Sequence, residues 1–194
     1  YGLYNTYMSG GSLSGACGIT RTGSPGSYSY NTTSSGYSVN NGNFPVNLVS
    51  WGDAARFCNW LTNGQPTGLQ DANTTENGSY YLNGATSNAA LMAVTRTASA
   101  KYVIPTENEW YKAAYYDPIL NGGAGGYWVY PTKSNTAPSN VLSSTGTNNA
   151  NCWDVGSTDP NNYLTVVGAF ADSPGPYGTY DMGGDVWQLN EANP

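Results

Sequence analysis

The chain of 194 residues contains no histidine. Without an imidazole, no Ser-His-Asp or Cys-His catalytic unit can be assembled. Histidine-ligated zinc, haem and non-haem iron sites are excluded too, as is a histidine pH switch. Charge is scarce: 9% of the residues are Asp, Glu, Lys or Arg, against roughly 25% in an average soluble protein. The net charge of -6 comes from 12 acids and 6 bases. So few cations cannot neutralise a phosphate backbone, and nucleic acid is not an expected partner. No apolar run approaches the roughly 20 residues that a bilayer-spanning helix needs, so no membrane span is expected.

What the chain has in abundance is glycine, proline and tyrosine. There are 25 Gly and 11 Pro, and 17 Tyr and 6 Trp beside only 3 Phe. Disordered chains are poor in aromatics and rich in charge; this composition is the reverse. It describes one loop-rich globular domain over 1–194, made polar at its surface by Asn, Ser, Thr, Gly and Tyr. Such surfaces fit an extracytoplasmic or secreted location. The start at Tyr1 and the stop at Asn193-Pro194 read as a fragment, cut at both ends. Cys17, Cys58 and Cys152 are odd in number, so one is unpaired or paired outside the chain. Cys17 and Cys152 fall in loops and can pair with each other, which spacing does not decide.

Two helices announce themselves. Pro45 to Val49 is an extended lead-in, and Ser50-Trp51-Gly52-Asp53 has the form of a capping box. Trp51, Ala54, Ala55, Cys58 and Leu61 then fall on one helical face. This predicts a helix over Ser50–Thr62, stopping at Asn63-Gly64. Tyr102 to Pro105 leads likewise into Thr106-Glu107-Asn108-Glu109, a second capping box, with Trp110, Ala113 and Ala114 as its buried stripe and an end near Asp117-Pro118. Gly23-Ser24-Pro25-Gly26 reads as a turn. Short strands are expected within Ser27–Val39, at Ser79–Leu82, Tyr127–Tyr130 and Leu164–Val167. Residues 63–101 are the least regular segment, and a loop that long usually carries function.

Three segments, in order, resemble the sulfatase-modifying-factor family, the formylglycine-generating-enzyme-like domains. The first runs Pro45-Val46-Asn47-Leu48-Val49-Ser50-Trp51-Gly52-Asp53-Ala54 and on through Phe57-Cys58-Asn59-Trp60-Leu61. The second is Ile104-Pro105-Thr106-Glu107-Asn108-Glu109-Trp110-Tyr111-Lys112-Ala113-Ala114. The third is Val167-Gly168-Ala169-Phe170 with Tyr177-Gly178-Thr179-Tyr180-Asp181-Met182-Gly183-Gly184-Asp185-Val186-Trp187. The resemblance implies an α+β, C-type-lectin-like fold with two short helices, a small twisted antiparallel sheet and much irregular chain. It makes 63–101 an insertion of one bacterial subgroup.

The resemblance also implies an activity, oxidation of a cysteine in a sulfatase-like protein or peptide to formylglycine, with copper held by a cysteine pair. That pair lies beyond the segments matched here, so no residue of this chain is assigned a catalytic or copper-binding role. The family's iron-using branch needs histidine and is excluded. The alternative is a non-catalytic, ligand- or protein-binding module on the same scaffold, since fold does not decide function.

Calcium is the cofactor that the resemblance places on this chain. By position, the first calcium loop maps to the Asp181 side chain, the carbonyls of Gly184 and Val186, and Gln188. Gln188 stands where the family has Glu, and Asp185 where it has Asn. The second maps to Asn140, the Val141 carbonyl, Asp154 and the Gly156 carbonyl. Hard oxygen donors suit this ion; the competing reading is Asx-turn residues that stabilise loops. Cys58, on the buried helical stripe, reads as a small hydrophobe before it reads as a reactive thiol. Glu107 and Glu109 do not face each other on a helix and read as capping and dipole residues. Trp51, Trp60, Trp110 and Trp187 lie in the matched motifs and are expected in the core. Tyr28, Tyr30, Tyr37, Tyr80 and Tyr81 are expected to be freer to bind a sugar or peptide.

Overall fold

Ile19–Thr22 (β1) and Ser29–Thr32 (β2) pair antiparallel, with Ile19 opposite Thr32 and Thr22 opposite Ser29. The Gly23–Gly26 turn joins them, closed by the Ser27 amide on the Ser24 carbonyl at 2.9 Å. The Arg21 guanidinium lies 4.2 Å from the centre of the Tyr28 ring. The computed structural model describes residues 3, 5, 8, 19–32, 41–153, 156, 158 and 163–191. The remainder of the strand expected within Ser27–Val39, as well as Cys17 and Tyr37, lies outside them. The chain divides into two compact units, Tyr1–Asn41 with Val46–Ile104, and Gly42–Pro45 with Pro105–Pro194. The described residues mix helices with two small antiparallel pairs, an α+β composition.

The first unit is organised by helix α1, Trp51–Thr62. Both halves of the expected capping box are present: the Asp53 amide donates to the Ser50 side chain, and the Ser50 amide donates to the Asp53 carboxylate. Asn63 caps the other end. On the apolar face, Ala55 and Cys58 are buried with Tyr80, Leu82 and Ile104, and Trp51, Ala54, Leu91, Val94 and Val103 pack around them. Trp51 meets Tyr80 edge to face at 5.4 Å between centroids.

The polar face of α1 anchors residues 74–85. Asn59 is fully buried, and its amide nitrogen donates to the carbonyls of Thr75 and Tyr80 at 2.8 Å while its oxygen accepts from the Tyr80 amide at 2.8 Å. Arg56, one turn earlier, holds Glu76 with Nε at 2.7 Å and Nη2 at 3.1 Å, and donates to the Ala85 carbonyl. Asn63, one turn later, donates to the carbonyls of Thr74 and Asn77. This segment is thus pinned by amide and guanidinium groups in place of strand ladders. The strand expected at Ser79–Leu82 reduces to a single bridge between Tyr80 and Arg96, and a short helix, α2 (Asn88–Met92), appears where none was expected. Tyr80 is 0% exposed, a correction to its expected role as a binding residue; its hydroxyl accepts from the Ile104 amide at 2.9 Å. Tyr30 and Tyr81 are exposed as expected.

The second unit begins with α3, Glu107–Tyr115, whose Thr106–Glu109 capping box is complete. The helix stops two residues before the expected Asp117, because Tyr116 turns extended and starts β3 (Tyr116–Asp117). After the single turn α4 (Leu120–Gly123), β4 (Gly126–Tyr127) pairs with β3 antiparallel. Tyr111 stacks on Tyr127 at 5.0 Å, and Tyr127 meets Tyr116 at 5.1 Å, so β4's ring is held between one ring on α3 and one on β3. The expected strand Tyr127–Tyr130 shrinks to β4 and a bridge from Tyr130 to Ser134. Leu164–Val167 forms no strand. Among the described residues, no helix is long and apolar enough to cross a membrane.

Candidate recognition cleft

A cleft of about 670 Å³ opens in the second unit between the α3 residue Trp110, the Asn151–Trp153 loop and the Met182–Asn190 loop. The start of α3 fixes one wall. The Glu191 amide donates to the Pro105 carbonyl at 2.8 Å, and Glu191 bridges to Thr106. The Trp110 indole N–H donates to Gln188 Oε1 at 2.6 Å, and Gln188 Nε2 donates to the Asp181 carbonyl at 2.5 Å. Gln188 therefore ties the helix to the start of its own loop.

Asn151 fixes the other wall. It is buried, and it exchanges two bonds with Asp185: its Nδ2 donates to Asp185 Oδ1 at 2.6 Å, and the Asp185 amide donates to the Asn151 carbonyl at 2.9 Å. The Thr165 amide donates to the same Oδ1 at 3.0 Å, and Asn151 Nδ2 also reaches the Tyr163 carbonyl at 3.1 Å. Asp181 and Asp185 both take the left-handed conformation, at φ 52° and 57°, which Asp tolerates better than most residues. Gly184 has φ +89°, and a Cβ there would run into the Asn151 carbonyl oxygen; close approach of two backbones requires glycine.

Trp187 is 103% exposed, which corrects its expected place in the core. Gln188 meets Trp110, while the next residue back, Trp187, stands in solvent. Trp153 and Tyr163 are exposed as well, while Trp51, Trp60 and Trp110 are half-buried.

At the first expected calcium loop, burial first, and then the nearby Asp185 charge, raise the Asp181 carboxyl above its ordinary value. No described residue donates a hydrogen bond to the Asp181 carboxylate or to the carbonyls of Gly184 and Val186. By donor type, a carboxylate and two carbonyls suit a hard cation. Gln188 is committed to Trp110 and Asp181, so it contributes no vacant donor. At the second loop, Asn140 and Gly156 come together: Asn140 Nδ2 donates to the Gly156 carbonyl at 2.7 Å. The Val141 carbonyl accepts from Asn149 Nδ2 at 2.7 Å. Two of its oxygens thus already have amide donors, and Asp154 lies outside the described residues. Among the described residues, no group of three or more His, Cys, Asp or Glu is placed to hold a metal.

Neither described thiol has a soft partner for copper beside it in the contacts that follow. Cys58 is buried beside Ala55, Tyr80, Leu82 and Ile104, none of which offers the soft donor that Cu(I) needs. Cys152 is half-buried, with its Sγ 3.8 Å from the Pro138 carbonyl. Glu109 closes the Thr106 cap at 2.8 Å, the structural role expected of it. Sequence reasoning did not find Asn151, Tyr163 or Thr165. A lone Asn between Ala150 and Cys152 carries no pattern, and only the buried reciprocal bonds with Asp185 reveal it.

A family model described as sulfatase-modifying factor enzyme 1-like domain matches residues 18–192. No curated protein and no solved structure matches the chain.

Proposed function

The chain belongs to the sulfatase-modifying factor enzyme 1-like family, and from that premise we propose that it works as a formylglycine-generating-type domain. On this reading it recognises a sulfatase-like protein or peptide, whose cysteine is oxidised to formylglycine. The observation that carries it is the family match, which runs across both compact units. The aromatic cleft of the second unit supplies the recognition surface. We further propose the C-type-lectin-like frame for the capped helices and small sheets, and an extracytoplasmic or secreted location for the ion-poor surface. Calcium is proposed as a structural ion at Asp181, Gly184 and Val186, with Gln188 holding the loop closed behind it. The second loop, Asn140, Val141, Asp154 and Gly156, is proposed as a weaker site.

A second reading has its own support. Cys58 is packed in an apolar core, and the exposed rings of Trp153 and Trp187 crowd one cleft. That combination suits a non-catalytic binding module. One experiment separates the two readings: incubate the full-length protein with Cu(I) and a Cys-x-Pro-x-Arg peptide in air, dioxygen being the oxidant, and track the peptide by mass spectrometry. An aldehyde product supports the oxidase. Peptide that binds and is recovered unchanged supports the module and sinks the oxidase.

A further inference from the structure

Five asparagines are followed by glycine: Asn41, Asn63, Asn77, Asn83 and Asn121. An Asn-Gly pair can react with itself, because glycine has no side chain to shield its amide nitrogen from the asparagine side-chain carbonyl group. In sequence the five are equivalent; the fold separates them. Asn41–Gly42 opens the 3-10 turn Asn41–Asn43, a backbone whose amides point along the helix axis. Asn63 Nδ2 donates to the Thr74 and Asn77 carbonyls, and the Gly64 amide donates to the Leu61 carbonyl at 3.1 Å. The Gly84 amide is held by Glu76 Oε2 at 2.7 Å. Asn121 Nδ2 donates to the Gly125 carbonyl at 3.1 Å. Asn77 is arranged differently. The Gly78 amide donates to Asn77 Oδ1 at 2.9 Å, so the nitrogen already lies against the side-chain carbonyl group. Asn77 is exposed, and among the described residues nothing accepts from its Nδ2.

We propose that Asn77 is a self-modification site, converted through a cyclic imide to aspartate and isoaspartate, and that its conversion loosens residues 74–85 from α1. A base in water takes the Gly78 amide proton. The Gly78 nitrogen then bonds to Asn77 Cγ, and the Cγ–Nδ2 bond breaks with loss of ammonia. Water opens the imide at either of its carbonyls. Prior placement of the reacting atoms is what speeds such a step, and the other pairs commit their amides elsewhere. No oxidant, metal or partner enters, so the inference stands apart from the oxidase reading. The product bears on the fold. The Asn77 carbonyl accepts from Asn63 Nδ2 at 2.8 Å. Gly78 lies so near Asn59 that a Cβ on it would stand 3.1 Å from Asn59 Oδ1 and 3.2 Å from Asn59 Cα. An isoaspartyl link adds a carbon to the main chain at this close contact. Either product adds a carboxylate next to Glu76 in the chain. The change is irreversible, so it accumulates with the age of the protein.

Incubation in mildly alkaline buffer tests it, with each site followed by tandem mass spectrometry of peptic fragments and isoaspartate read by enzymatic methylation. In the folded protein Asn77 should convert about tenfold or more ahead of the other four. In urea, which removes the fold, the five should convert at similar rates. Asn77→Gln should abolish the early mass change, since glutamine has to close a larger ring, and thermal melts should place this variant near the parent. The converted protein, separated by its added negative charge, should exchange its Tyr80 amide faster than the parent does. Earlier conversion at any of the other four overturns the proposal. So does conversion at Asn77 that is slower in the folded protein than in urea, an early mass change that persists in Asn77→Gln, or Tyr80 exchange that conversion leaves unchanged.

Discussion

Arg56 and Glu76 lie side by side as a two-point ion pair, Nε to Oε1 at 2.7 Å and Nη2 to Oε2 at 3.1 Å, with Glu76 only 1% exposed. The carboxylate also accepts from the Gly84 amide at 2.7 Å and from the Thr75 hydroxyl at 3.2 Å, while the Glu76 carbonyl takes the Leu82 and Asn83 amides. One acid therefore closes the 76–84 loop on itself and onto α1. Burial pushes this carboxyl upward. The Arg56 bonds and charge, with the Gly84 and Thr75 bonds, outweigh it and hold the group below its ordinary value of 4.5.

That balance makes Glu76→Gln informative. The substitution leaves the Arg56 guanidinium buried without its counter-charge, which costs about 3 kcal/mol or more. Because the folded carboxyl sits lower than the unfolded one, its contribution is complete above the ordinary glutamate range. It is lost as pH falls through the lower folded value. Urea denaturation should show parent and Glu76→Gln far apart at neutral pH and converging in acid below 4.5. A gap that stays constant with pH contradicts the ion-pair account.

Asn59→Ala should act through the backbone more than through the core. It removes the Asn59 bonds to the Tyr80 amide and to the Thr75 and Tyr80 carbonyls, each worth about 1–3 kcal/mol where the group is left buried and unmet. Hydrogen exchange reads this directly: the Tyr80 amide should lose protection by orders of magnitude, while amides inside α1 change little. Uniform loss across α1 would mean that Asn59 supports the helix and not the loop.

These two residues mark how far the sequence could be read. Ser50, Asp53, Thr106 and Glu109 carry their message locally, because a cap needs only residues three apart. Both long helices were legible for that reason, and so was the burial of Cys58. Arg56, Asn59, Glu76 and Tyr80 carry theirs through contacts about 20 residues apart, where no periodicity exists to detect. From the sequence, the loop therefore reads as irregular apart from one strand at Ser79–Leu82, and Tyr80 reads as a binding residue. The cleft divides in the same way. Its Gly184-Asp185-Val186-Trp187 stretch stood out as a motif, yet which of Trp187 and Gln188 faces inward is decided by Trp110, 78 residues from Gln188.

Gly184→Ala and Gly178→Ala make a matched pair. Both glycines have positive φ, +89° and +75°, but a Cβ at 184 meets the Asn151 carbonyl and one at 178 meets nothing within 4 Å. Gly178→Ala should cost only the left-handed backbone term, about 1–2 kcal/mol. Gly184→Ala should cost more and should open the cleft, since the Asn151–Asp185 bonds cannot survive the displacement. Thermal melts rank the two, and hydrogen exchange at the Asp185 amide, which donates to the Asn151 carbonyl, shows which one disturbs the cleft. An equal loss in both would mean that the close approach at Asn151 is unimportant.

Asp181 carries the last prediction, because its two possible roles have opposite signs. Its carboxyl is raised by burial and then by Asp185 from an ordinary 3.8. An acid that holds its proton more tightly when folded makes stability fall as pH rises from the ordinary value through the folded one. In EGTA at neutral pH, Asp181→Asn should therefore be as stable as the parent or more so, since the amide removes the repulsion and Asn tolerates the left-handed backbone at φ 52°. With calcium the order reverses. The ion binds only the folded loop and raises the parent's melting temperature with concentration, while the variant, lacking the carboxylate, should gain little. Melts of both proteins across a calcium series measure this crossing. Parallel curves would remove calcium from the Asp181 loop and leave Gln188 and Trp110 as the contacts that hold it.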